Sequence, residues 1–459
     1  MTRKYDAIII GTGQAGPSLA ARLAKAGKKV AILERKLFGG TCVNVGCVPT
    51  KTLVASAHAA HMARRAAEFG VRVGETVTVD MQKVKARKDA IVRKSNEGVE
   101  NWLKKTANCT VYEGHARFES SRTVRVNGEL LEADQIFLNT GARAVVPPLP
   151  GLNEVVYLTN SSMMEVDFLP EHLIVIGGGY IGLEFAQMYR RFGSQVTLVE
   201  KDSRMMPRED DDVAQAVQQI LENEGIQFRL NSACMAVEKR GARIGVKLDC
   251  RDGDREVVGS HLLVAVGRRP NTDDLGLESA GIAVDARGYI VVDDQLRTNV
   301  PGVWALGDCN GKGAFTHTSY NDYEIVAANL LDNDPRRVSN RIAAYALYID
   351  PPLGRAGMTE TQVRESGRRA LLGKRPMTRV SRAVEKGETQ GFMKVLVDAE
   401  TRQILGAAIL GVGGDEVIHS LLDVMYAKEP YTVIQRAMHI HPTVSELIPT
   451  MLGELTPLA

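Results

Sequence analysis

The chain has 459 residues, and its 57 Lys and Arg against 55 Asp and Glu give a formal net charge of +2. At roughly 150 residues per domain, this length predicts about three domains. The balanced charge argues against nucleic acid or an anionic membrane as the main partner, because both require a basic excess. No stretch approaches the roughly 20 apolar residues that cross a bilayer, so we expect no membrane partner.

The N-terminus carries a short apolar run, Ile8-Ile-Ile10, that ends at Gly11. A signal peptide needs a longer hydrophobic region, so we expect a cytoplasmic protein. The six cysteines are too few for a disulfide framework in a chain of this length.

A glycine-rich turn follows the apolar run: Gly11-Thr-Gly13-Gln-Ala-Gly16, then a helical stretch and a strand that ends at Glu34. In such a motif the first glycine allows a tight turn, the second lets a pyrophosphate approach the backbone, and the third lets the helix pack on the strand. The pyrophosphate sits on the helix N-terminus. An acid placed like Glu34 accepts hydrogen bonds from an adenosine ribose.

Two cysteines, Cys42 and Cys47, come directly after this unit. Residues five apart on a regular helix have Cα atoms roughly 8.7 Å apart, whereas a disulfide needs about 4.4–6.8 Å. The pair can therefore bridge only if the helix is distorted, and Gly46 supplies a permissive backbone. A structural disulfide, a zinc site and a redox-active dithiol beside a cofactor are the three interpretations, and we favour the dithiol.

The glycine-rich pattern recurs as Gly177-Gly-Gly179-Tyr-Ile-Gly182 and ends at Glu200. Each marker lies 166 residues after its counterpart, as 177 − 11 and 200 − 34 show. A lone motif is weak evidence, but two copies between a β-branched strand and a helix are much stronger. We therefore predict that the chain binds two dinucleotides.

Further landmarks divide the rest of the chain. Thr140 and Gly141 follow an apolar strand, and a proline-rich linker covers residues 145–151. The chain leaves the second unit after residues 264–271, which include Gly267, and a later strand ends at Asp308. From about residue 341, apolar strands are followed by a helix-rich C-terminal segment that begins at Glu416, and this pattern predicts an α+β interface domain.

A histidine near the end, His441, lies five residues before Glu446. Opening a disulfide requires a proton for the leaving thiolate, and the reverse direction requires a base. An imidazole serves both roles, and a carboxylate on its other nitrogen would fix the tautomer. We interpret His439 as a packing residue.

The segment of residues 39–51 resembles the active-site signature of the class I flavin-dependent pyridine nucleotide–disulfide oxidoreductases. This family includes dihydrolipoamide dehydrogenase, glutathione reductase and mercuric reductase. The resemblance extends over residues 5–446 and keeps the family's order of motifs. It implies an α/β fold with two Rossmann-like dinucleotide-binding domains and a C-terminal α+β dimerisation domain. The implied domains are FAD-binding for 1–148 and 271–338, NAD(P)-binding for 149–270, and dimerisation for 339–459.

The resemblance also implies roles. Cys47 would be the thiol that lies on the flavin, and Cys42 the interchange thiol that meets substrate. His441 would be the acid–base, oriented by Glu446 and supplied by the partner subunit of a homodimer. The expected cofactor-binding residues are Gly11, Gly13, Gly16, Glu34, Thr41, Lys51, Gly114, Thr140, Gly141, Asp308, Gly177, Gly179, Tyr180, Gly182, Glu184, Glu200 and Gly267.

Among these, Lys51 and Glu184 match an ion pair near the flavin N5, and Tyr180 matches an aromatic lid over the nicotinamide pocket. No resident metal is predicted: His58 and His61 are spaced for one, but a solvated helix face is the favoured interpretation. Four further cysteines are left over. Cys109, Cys234 and Cys250 are interpreted as buried core thiols, and Cys309 as lying near the flavin.

Glu200 favours NADH, because a carboxylate there would repel a 2′-phosphate, although Lys201 and Arg204 keep NADPH open. Mercuric reductases that resemble this chain carry an additional cysteine pair near the C-terminus, which receives the metal. The final thirteen residues here contain no cysteine, and no N-terminal metal-binding domain is expected, so mercury reduction is disfavoured. Residues 139–142 with 146–148, 318–326 and 351–360 look more like bacterial flavoprotein reductases of reactive-chlorine resistance, which reduce copper(II).

The leading hypothesis is therefore an NAD(P)H-dependent FAD enzyme that reduces a disulfide or metal-ion acceptor through Cys42 and Cys47. A second hypothesis is the reverse flow, oxidation of a dithiol such as dihydrolipoamide with NAD⁺. A third is an FAD-bound redox sensor without turnover, which the complete set of Cys42, Cys47, His441 and Glu446 argues against.

Overall fold

A computed structural model describes residues 2–74, 76–249 and 254–458. Cys250 lies outside the described residues. The predicted fold class is confirmed: two units, each with a glycine-rich turn, precede an antiparallel sheet covered by helices. The sheet of the first unit is parallel except for β4 and β5, which pair antiparallel, and the main sheet of the second unit is parallel.

The first unit is built around β1, whose buried apolar end is typical of a central parallel strand. Its strands have the order β3-β2-β1-β6-β5-β4. The elements up to the linker are β1 (Thr2–Ile10), α1 (Gly16–Lys25), β2 (Val30–Glu34), α2 (Gly40–Asn44), α3 (Cys47–Arg65), α4 (Met81–Lys105), β3 (Cys109–Glu113), β4 (Arg117–Ser120), β5 (Thr123–Val126), β6 (Glu129–Leu138) and β7 (Ala142–Ala144).

The second unit repeats this architecture with a parallel sheet of order β11-β10-β9-β15-β8 and a separate antiparallel sheet of β12, β13 and β14. Its elements are β8 (Tyr157–Leu158), β9 (His172–Ile176), α5 (Tyr180–Phe192), β10 (Gln195–Val199), α6 (Asp211–Asn223), β11 (Gln227–Arg229), β12 (Ala233–Arg240), β13 (Arg243–Asp249), β14 (Glu256–Gly259), β15 (His261–Val264) and β16 (Arg268–Pro270).

After the second unit the chain returns to the first. β16 pairs antiparallel with β7, so a short ribbon joins the two units. β17 (Val303–Ala305) then pairs parallel with β6, and α7 (Thr316–Ala327) follows it. The residues that precede α7 therefore lie at the carboxyl ends of the parallel strands, where the first glycine-rich turn also lies.

The C-terminal sheet has the order β18-β19-β22-β21-β20-β23. Its elements are β18 (Ala344–Leu347), β19 (Leu353–Gly357), α8 (Glu360–Glu365), β20 (Ala370–Pro376), α9 (Ser381–Glu385), β21 (Phe392–Asp398), β22 (Ile404–Leu410), α10 (Gly414–Ala427), α11 (Thr432–Arg436), α12 (Ile448–Leu452) and β23 (Thr456–Pro457).

Every residue of β21 and β22 is buried, because both faces of this sheet are covered. Leu353 and Leu410 pack into the core that contains α3 and α5. Ile409 on the other face packs with residues of α10 and α12, such as Leu421. The sheet thus fixes the dimerisation domain against the helices that carry the predicted site. None of the described helices is long and apolar enough to cross a membrane.

Candidate active site

The two cysteines lie at a break between helices. α2 ends at Asn44 and α3 begins at Cys47, with Gly46 between them at φ −130° and ψ −121°. A Cβ at Gly46 would lie 2.8 Å from the Thr41 carbonyl oxygen and 3.2 Å from the Cys42 Cα. The predicted distortion at Gly46 is confirmed, and only a glycine lets the chain turn back tightly enough here.

The two thiols are free and differ in acidity. The pKa of Cys47 is lowered to about 6, chiefly because the Cys42 thiol donates a hydrogen bond to its sulfur. The Thr316 hydroxyl lies 3.1 Å from the Cys47 Sγ and donates a second hydrogen bond, and the positive charge of Lys51 adds to the effect. The same thiol–thiol bond, with burial, raises the pKa of Cys42. At neutral pH the pair therefore holds one proton, on Cys42, and one thiolate, on Cys47.

An ion pair lies beside the thiolate. The Lys51 Nζ is 2.7 Å from the Glu184 Oε2, and Glu184 is 7% exposed. The other oxygen of Glu184 accepts the Tyr348 N–H at 3.0 Å. Lys51 also lies 4.5 Å from the centre of the Tyr348 ring. The two predicted residues are thus brought together, and the dimerisation domain holds them in place.

The first glycine-rich turn leaves no room for side chains. A Cβ at Gly11, where φ is +103°, would lie 2.4 Å from the Asn139 carbonyl oxygen, and one at Gly16 would lie 2.3 Å from the Gly11 carbonyl oxygen. A Cβ at Gly13 would meet the Asn139 Oδ1 at 2.8 Å. That Oδ1 accepts the Gly16 N–H at 3.1 Å, and the amide donates to the Leu306 carbonyl.

The second turn has the same shape but one open side. A Cβ at Gly177 would lie 2.5 Å from the Ala265 carbonyl oxygen, and one at Gly182 would lie 2.1 Å from the Gly177 carbonyl oxygen. A Cβ at Gly179 would meet nothing within 4 Å. This open side of the helix N-terminus fits the close approach of a pyrophosphate.

The two strand-end acids make equivalent contacts. The Glu34 Oε2 accepts the Thr12 N–H at 3.0 Å and the Thr12 hydroxyl at 2.6 Å. The Glu200 Oε2 accepts the Gly178 N–H at 2.7 Å. Thr12 and Gly178 are equivalent positions of the repeat, so each carboxylate is fixed against its own turn, where a ribose would bind.

The remaining predicted FAD contacts surround the first turn. Thr140 has a buried hydroxyl oxygen with no hydrogen-bond partner among the described residues. Burial raises the pKa of Asp308, and the Arg268 guanidinium, 3.7 Å away, opposes this shift. Gly114 follows β3, and its N–H donates to the Glu34 carbonyl. An unpaired buried hydroxyl beside a phosphate-binding turn fits a dinucleotide such as FAD.

Three other predicted positions are simple to place. Gly141 (φ +69°) and Gly267 (φ +126°) adopt backbone conformations that favour glycine. Thr41 lies in α2, and its carbonyl accepts the Val45 N–H at 2.9 Å. It therefore shapes the turn that precedes Gly46.

Tyr180, the predicted lid, begins α5 directly after Gly179. Its hydroxyl donates to the Glu209 Oε1 at 2.6 Å. Its ring lies 5.6 Å from that of Tyr345 and 6.5 Å from that of Phe315, measured between ring centres. The contact with Tyr345 connects the second unit with the C-terminal sheet.

His441 and Glu446 form the predicted pair. The His441 Nδ1 lies 3.0 Å from both carboxylate oxygens of Glu446, which leaves the Nε2 free. Within one chain, no hydrogen bond of the described residues connects His441 with Cys42 or Cys47. The neighbouring Met438 and Ile440 are 99% and 80% exposed. Such an exposed apolar strip beside the imidazole is typical of a surface that a second chain covers.

Five residues outside the predicted site have different surroundings. The His58 side chain is 45% exposed, but its Nδ1 also lies 2.7 Å from the Asp350 Oδ2, and this hydrogen bond raises its pKa. Cys109 and Cys234 are only partly buried, since their strands lie near the surface. His439 is half-buried and faces the Ala437 carbonyl at 3.0 Å. Cys309 is fully buried.

One carboxylate cluster among the described residues has metal-like spacing: Asp210, Asp212 and Glu360. The Lys394 ammonium lies 2.7–3.1 Å from all three and supplies the positive charge. The cluster is therefore a buried ion-pair network of the protein itself.

Sequence reasoning missed four contacts of the site. Thr316 touches Cys47, Thr12 binds Glu34, Asn139 closes the first turn, and Glu209 binds Tyr180. A signal existed only for Thr316, which begins a helix eight residues after Asp308. A helix N-terminus stabilises a nearby thiolate.

Comparison with known proteins identifies relatives over the whole chain. Residues 5–322 match the family model "Pyridine nucleotide-disulphide oxidoreductase", and residues 343–452 match the dimerisation domain of the same family. The probable pyridine nucleotide-disulfide oxidoreductase RclA of Escherichia coli is 38% identical over 451 residues, which covers 96% of this chain and 97% of RclA. A dihydrolipoyl dehydrogenase of Thermus scotoductus is 34% identical, with 97% and 96% coverage.

A solved structure is similarly close. The Cu(II) complex of the HOCl-induced flavoprotein disulfide reductase RclA from Escherichia coli matches with a TM-score of 0.90 and 36% identity. The match covers 98% of this chain and 99% of the other.

The first prediction concerns Thr316. Replacing Thr316 with Val removes a hydrogen bond to the Cys47 thiolate, so the Cys47 pKa should rise from about 6 by about one unit. A pH titration of the ultraviolet thiolate absorbance of the reduced holoenzyme measures this shift. Burial raises the pKa of Cys109, Cys234 and Cys309 to about 11, so they do not interfere. Thr316→Ser keeps the hydroxyl and should not shift the midpoint; equal midpoints for Val and Thr would refute the contact.

The second prediction concerns Gly179. Its φ is not positive and its Cβ would meet nothing, so Gly179→Ala should keep the melting temperature. It should nevertheless weaken NADH binding about tenfold or more, because the methyl occupies the path of the pyrophosphate. Gly98→Ala, in α4 with equally open surroundings, is the matched control for both measurements. Unchanged NADH affinity in Gly179→Ala would argue against nucleotide binding at this turn.

Proposed function

The chain belongs to the pyridine nucleotide-disulphide oxidoreductase family, and we propose that it is an NADH-dependent FAD enzyme that reduces a disulfide or metal-ion acceptor at the Cys42–Cys47 dithiol. The observation that carries this proposal is the placement of two free thiols at the Gly46 helix break, with Cys47 beside Thr316 and the Lys51–Glu184 ion pair. We assign FAD to residues 1–148 and 271–338, the nicotinamide cofactor to 149–270 and dimerisation to 339–459.

The residues around both turns would hold the cofactors. Glu34, Thr140 and Asp308 would bind FAD, and Gly179, Tyr180 and Glu200 the nicotinamide dinucleotide. When bound, FAD supplies the exchange of an electron pair between the nicotinamide and the dithiol. Lys51, fixed by Glu184, would orient this exchange on the side of Cys47.

The dithiol then does the chemistry on the acceptor. His441 of the partner subunit takes the proton from Cys42, and the Cys42 thiolate attacks one sulfur of a disulfide. The leaving thiolate takes that proton back. The Cys47 thiolate next attacks the Cys42 sulfur and releases the second thiolate, which is protonated by solvent. The acceptor disulfide becomes two thiols, and Cys42 and Cys47 become a disulfide.

A metal ion is an alternative acceptor at the same sulfurs. The Escherichia coli relative is described as a Cu(II) complex of a disulfide reductase. Thiolates are the soft ligands that favour Cu(I). Two Cu(II) ions would each take one electron from the pair while the Cys42 proton passes to His441 of the partner subunit, which yields two Cu(I) ions and the Cys42–Cys47 disulfide.

Glu200 supports NADH as the electron donor. Its carboxylate is fixed by the Gly178 N–H and by the Asp202 N–H at 3.1 Å. The charge of Arg204 is partly offset, because it pairs with Asp211 and donates to the Pro207 carbonyl. A 2′-phosphate would therefore meet a fixed negative charge.

A homodimer and a cytoplasmic location complete the proposal. The exposed strip around His441 and the matched dimerisation domain support an active site shared between two subunits. A dithiol that must stay reducible fits a reducing compartment.

A second candidate is dihydrolipoyl dehydrogenase activity, which the Thermus scotoductus relative favours. In this direction the His441–Glu446 pair would act first as base towards the incoming dithiol. Assays of one preparation in both directions separate the candidates: activity only with dihydrolipoamide and NAD⁺ would replace the first proposal with the second.

The third prediction tests the dithiol. Cys42→Ser should leave reduction of the bound flavin by NADH intact, because Cys42 is the thiol that meets the acceptor. Steady-state reduction of lipoamide, glutathione disulfide, Cu(II), Hg(II) and O₂ should show a loss of about 100-fold or more for the physiological acceptor. Cys234→Ser is the control, since this thiol lies in the separate antiparallel sheet. Normal turnover by Cys42→Ser would contradict the dithiol mechanism.

The fourth prediction tests cofactor choice. Glu200→Gln removes the charge and keeps an acceptor for the Gly178 N–H. We expect the ratio of kcat/KM for NADH over NADPH to fall about tenfold, as loss of one close repulsion implies. Asp202→Asn removes the same charge two residues away and should change the ratio little. Equal effects of both variants would mean that only the overall charge matters.

A further inference from the structure

Two tyrosines share one oxygen of a buried carboxylate. The Tyr180 hydroxyl donates to the Glu209 Oε1 at 2.6 Å, and the Tyr345 hydroxyl donates to the same atom at 2.5 Å. Tyr180 begins α5 of the second unit, whereas Tyr345 lies in β18 of the dimerisation domain. The carboxylate therefore connects the predicted nicotinamide lid with a different domain.

Glu209 depends on these two hydroxyls. It is 2% exposed, and its Oε2 has no hydrogen-bond partner among the described residues. The Arg355 Nε lies 3.9 Å from that oxygen, too far for a hydrogen bond. Arg355 is instead held by Asp210 at 3.0 Å and by the Met358 carbonyl at 3.2 Å. A buried carboxylate with so few donors is destabilised strongly by the loss of either one.

The two tyrosines differ in how their rings pack against neighbouring rings. The Tyr345 ring stacks on Phe315 with ring centres 5.4 Å apart and an angle of 8°. The Tyr180 ring meets its neighbours only at tilted angles of 37° and 44°. Burial raises the pKa of both hydroxyls, so both remain donors at physiological pH. Tyr345 thus has a parallel stacking partner, which Tyr180 lacks.

We propose that Glu209 and Tyr345 are positioning residues for Tyr180: Glu209 holds the lid in the position seen here, and Tyr345 keeps the carboxylate hydrogen-bonded when the lid moves. This inference rests on the proposed function, because it takes the nicotinamide ring as the group that displaces Tyr180. The pair then sets the affinity for the nicotinamide dinucleotide.

Loss of the two hydroxyls should therefore change the affinity for the nicotinamide dinucleotide in opposite directions. Without the Tyr345 hydroxyl, opening the lid would remove the last hydrogen bond of Glu209, so the closed position becomes more populated and binding weakens. Without the Tyr180 hydroxyl, opening breaks no hydrogen bond, so binding becomes tighter. Once Tyr180 lacks its hydroxyl, loss of the Tyr345 hydroxyl should no longer matter.

The test is calorimetric binding of NAD⁺ to the oxidised holoenzyme, which requires no turnover. We expect Tyr345→Phe to weaken binding about tenfold and Tyr180→Phe to tighten it about threefold. The double variant should bind like Tyr180→Phe. In steady state, Tyr345→Phe should raise KM for NADH more than it lowers kcat. Tyr189→Phe, in the same helix and with no hydrogen bond of its hydroxyl among the described residues, is the matched control.

The outcomes separate the two levels of the proposal. Failure of the wild-type holoenzyme to bind NAD⁺ would overturn the proposed function. Wild-type binding with an unchanged Tyr345→Phe, or with the same weakening in the Tyr180→Phe background, would overturn the positioning role, because a purely structural effect is additive. If Tyr345→Phe fails to retain FAD, Tyr180→Phe decides: tighter binding supports the inference and weaker or equal binding refutes it.

Discussion

The ion pair between Lys51 and Glu184 is the contact on which the arrangement of the site depends. Lys51 lies one helical turn after Cys47 in α3, and Glu184 lies one turn after Tyr180 in α5. The other oxygen of Glu184, Oε1, accepts the backbone N–H of Tyr348 from the C-terminal unit. A partly buried pair of this kind adds little net stability, because desolvation offsets attraction, but it fixes geometry. Here it fixes the dithiol, the second glycine-rich turn and the C-terminal unit relative to one another.

A second group of charges repeats this connection about two helical turns further along both helices. Asp350 of the dimerisation domain binds His58 of α3 and Arg191 of α5, at 2.7 Å and 2.5 Å. Its pKa lies well below the usual range of aspartate, because both partners favour the charged carboxylate. Two parallel helices are thus clamped by carboxylates at two levels. The Cys47 thiolate on α3 and Tyr180 at the start of α5 are therefore held in a fixed relation to each other.

The sequence predicts the parts of the site that local backbone physics determines. The repeat 166 residues apart, the helix break at Gly46 and the acids Glu34 and Glu200 all follow from turns, strand ends and spacing. Thr316, Glu209 and Tyr345 could not be found in this way, because their roles arise from contacts between elements distant in sequence. His58 shows the same limit: its helical position suggests solvent, whereas its partner Asp350 comes from another domain 292 residues later.

The two glycine-rich turns show that one motif can have two physical causes. In the first turn, the protein itself excludes a side chain at Gly13, because the Asn139 side chain occupies the space and bonds the Gly16 N–H. In the second turn, Ala265 replaces Asn139 and nothing lies near Gly179. No contact within the folded chain excludes a side chain at Gly179. The same motif is therefore required by packing in the first unit, whereas in the second unit the need for glycine agrees with the proposed ligand.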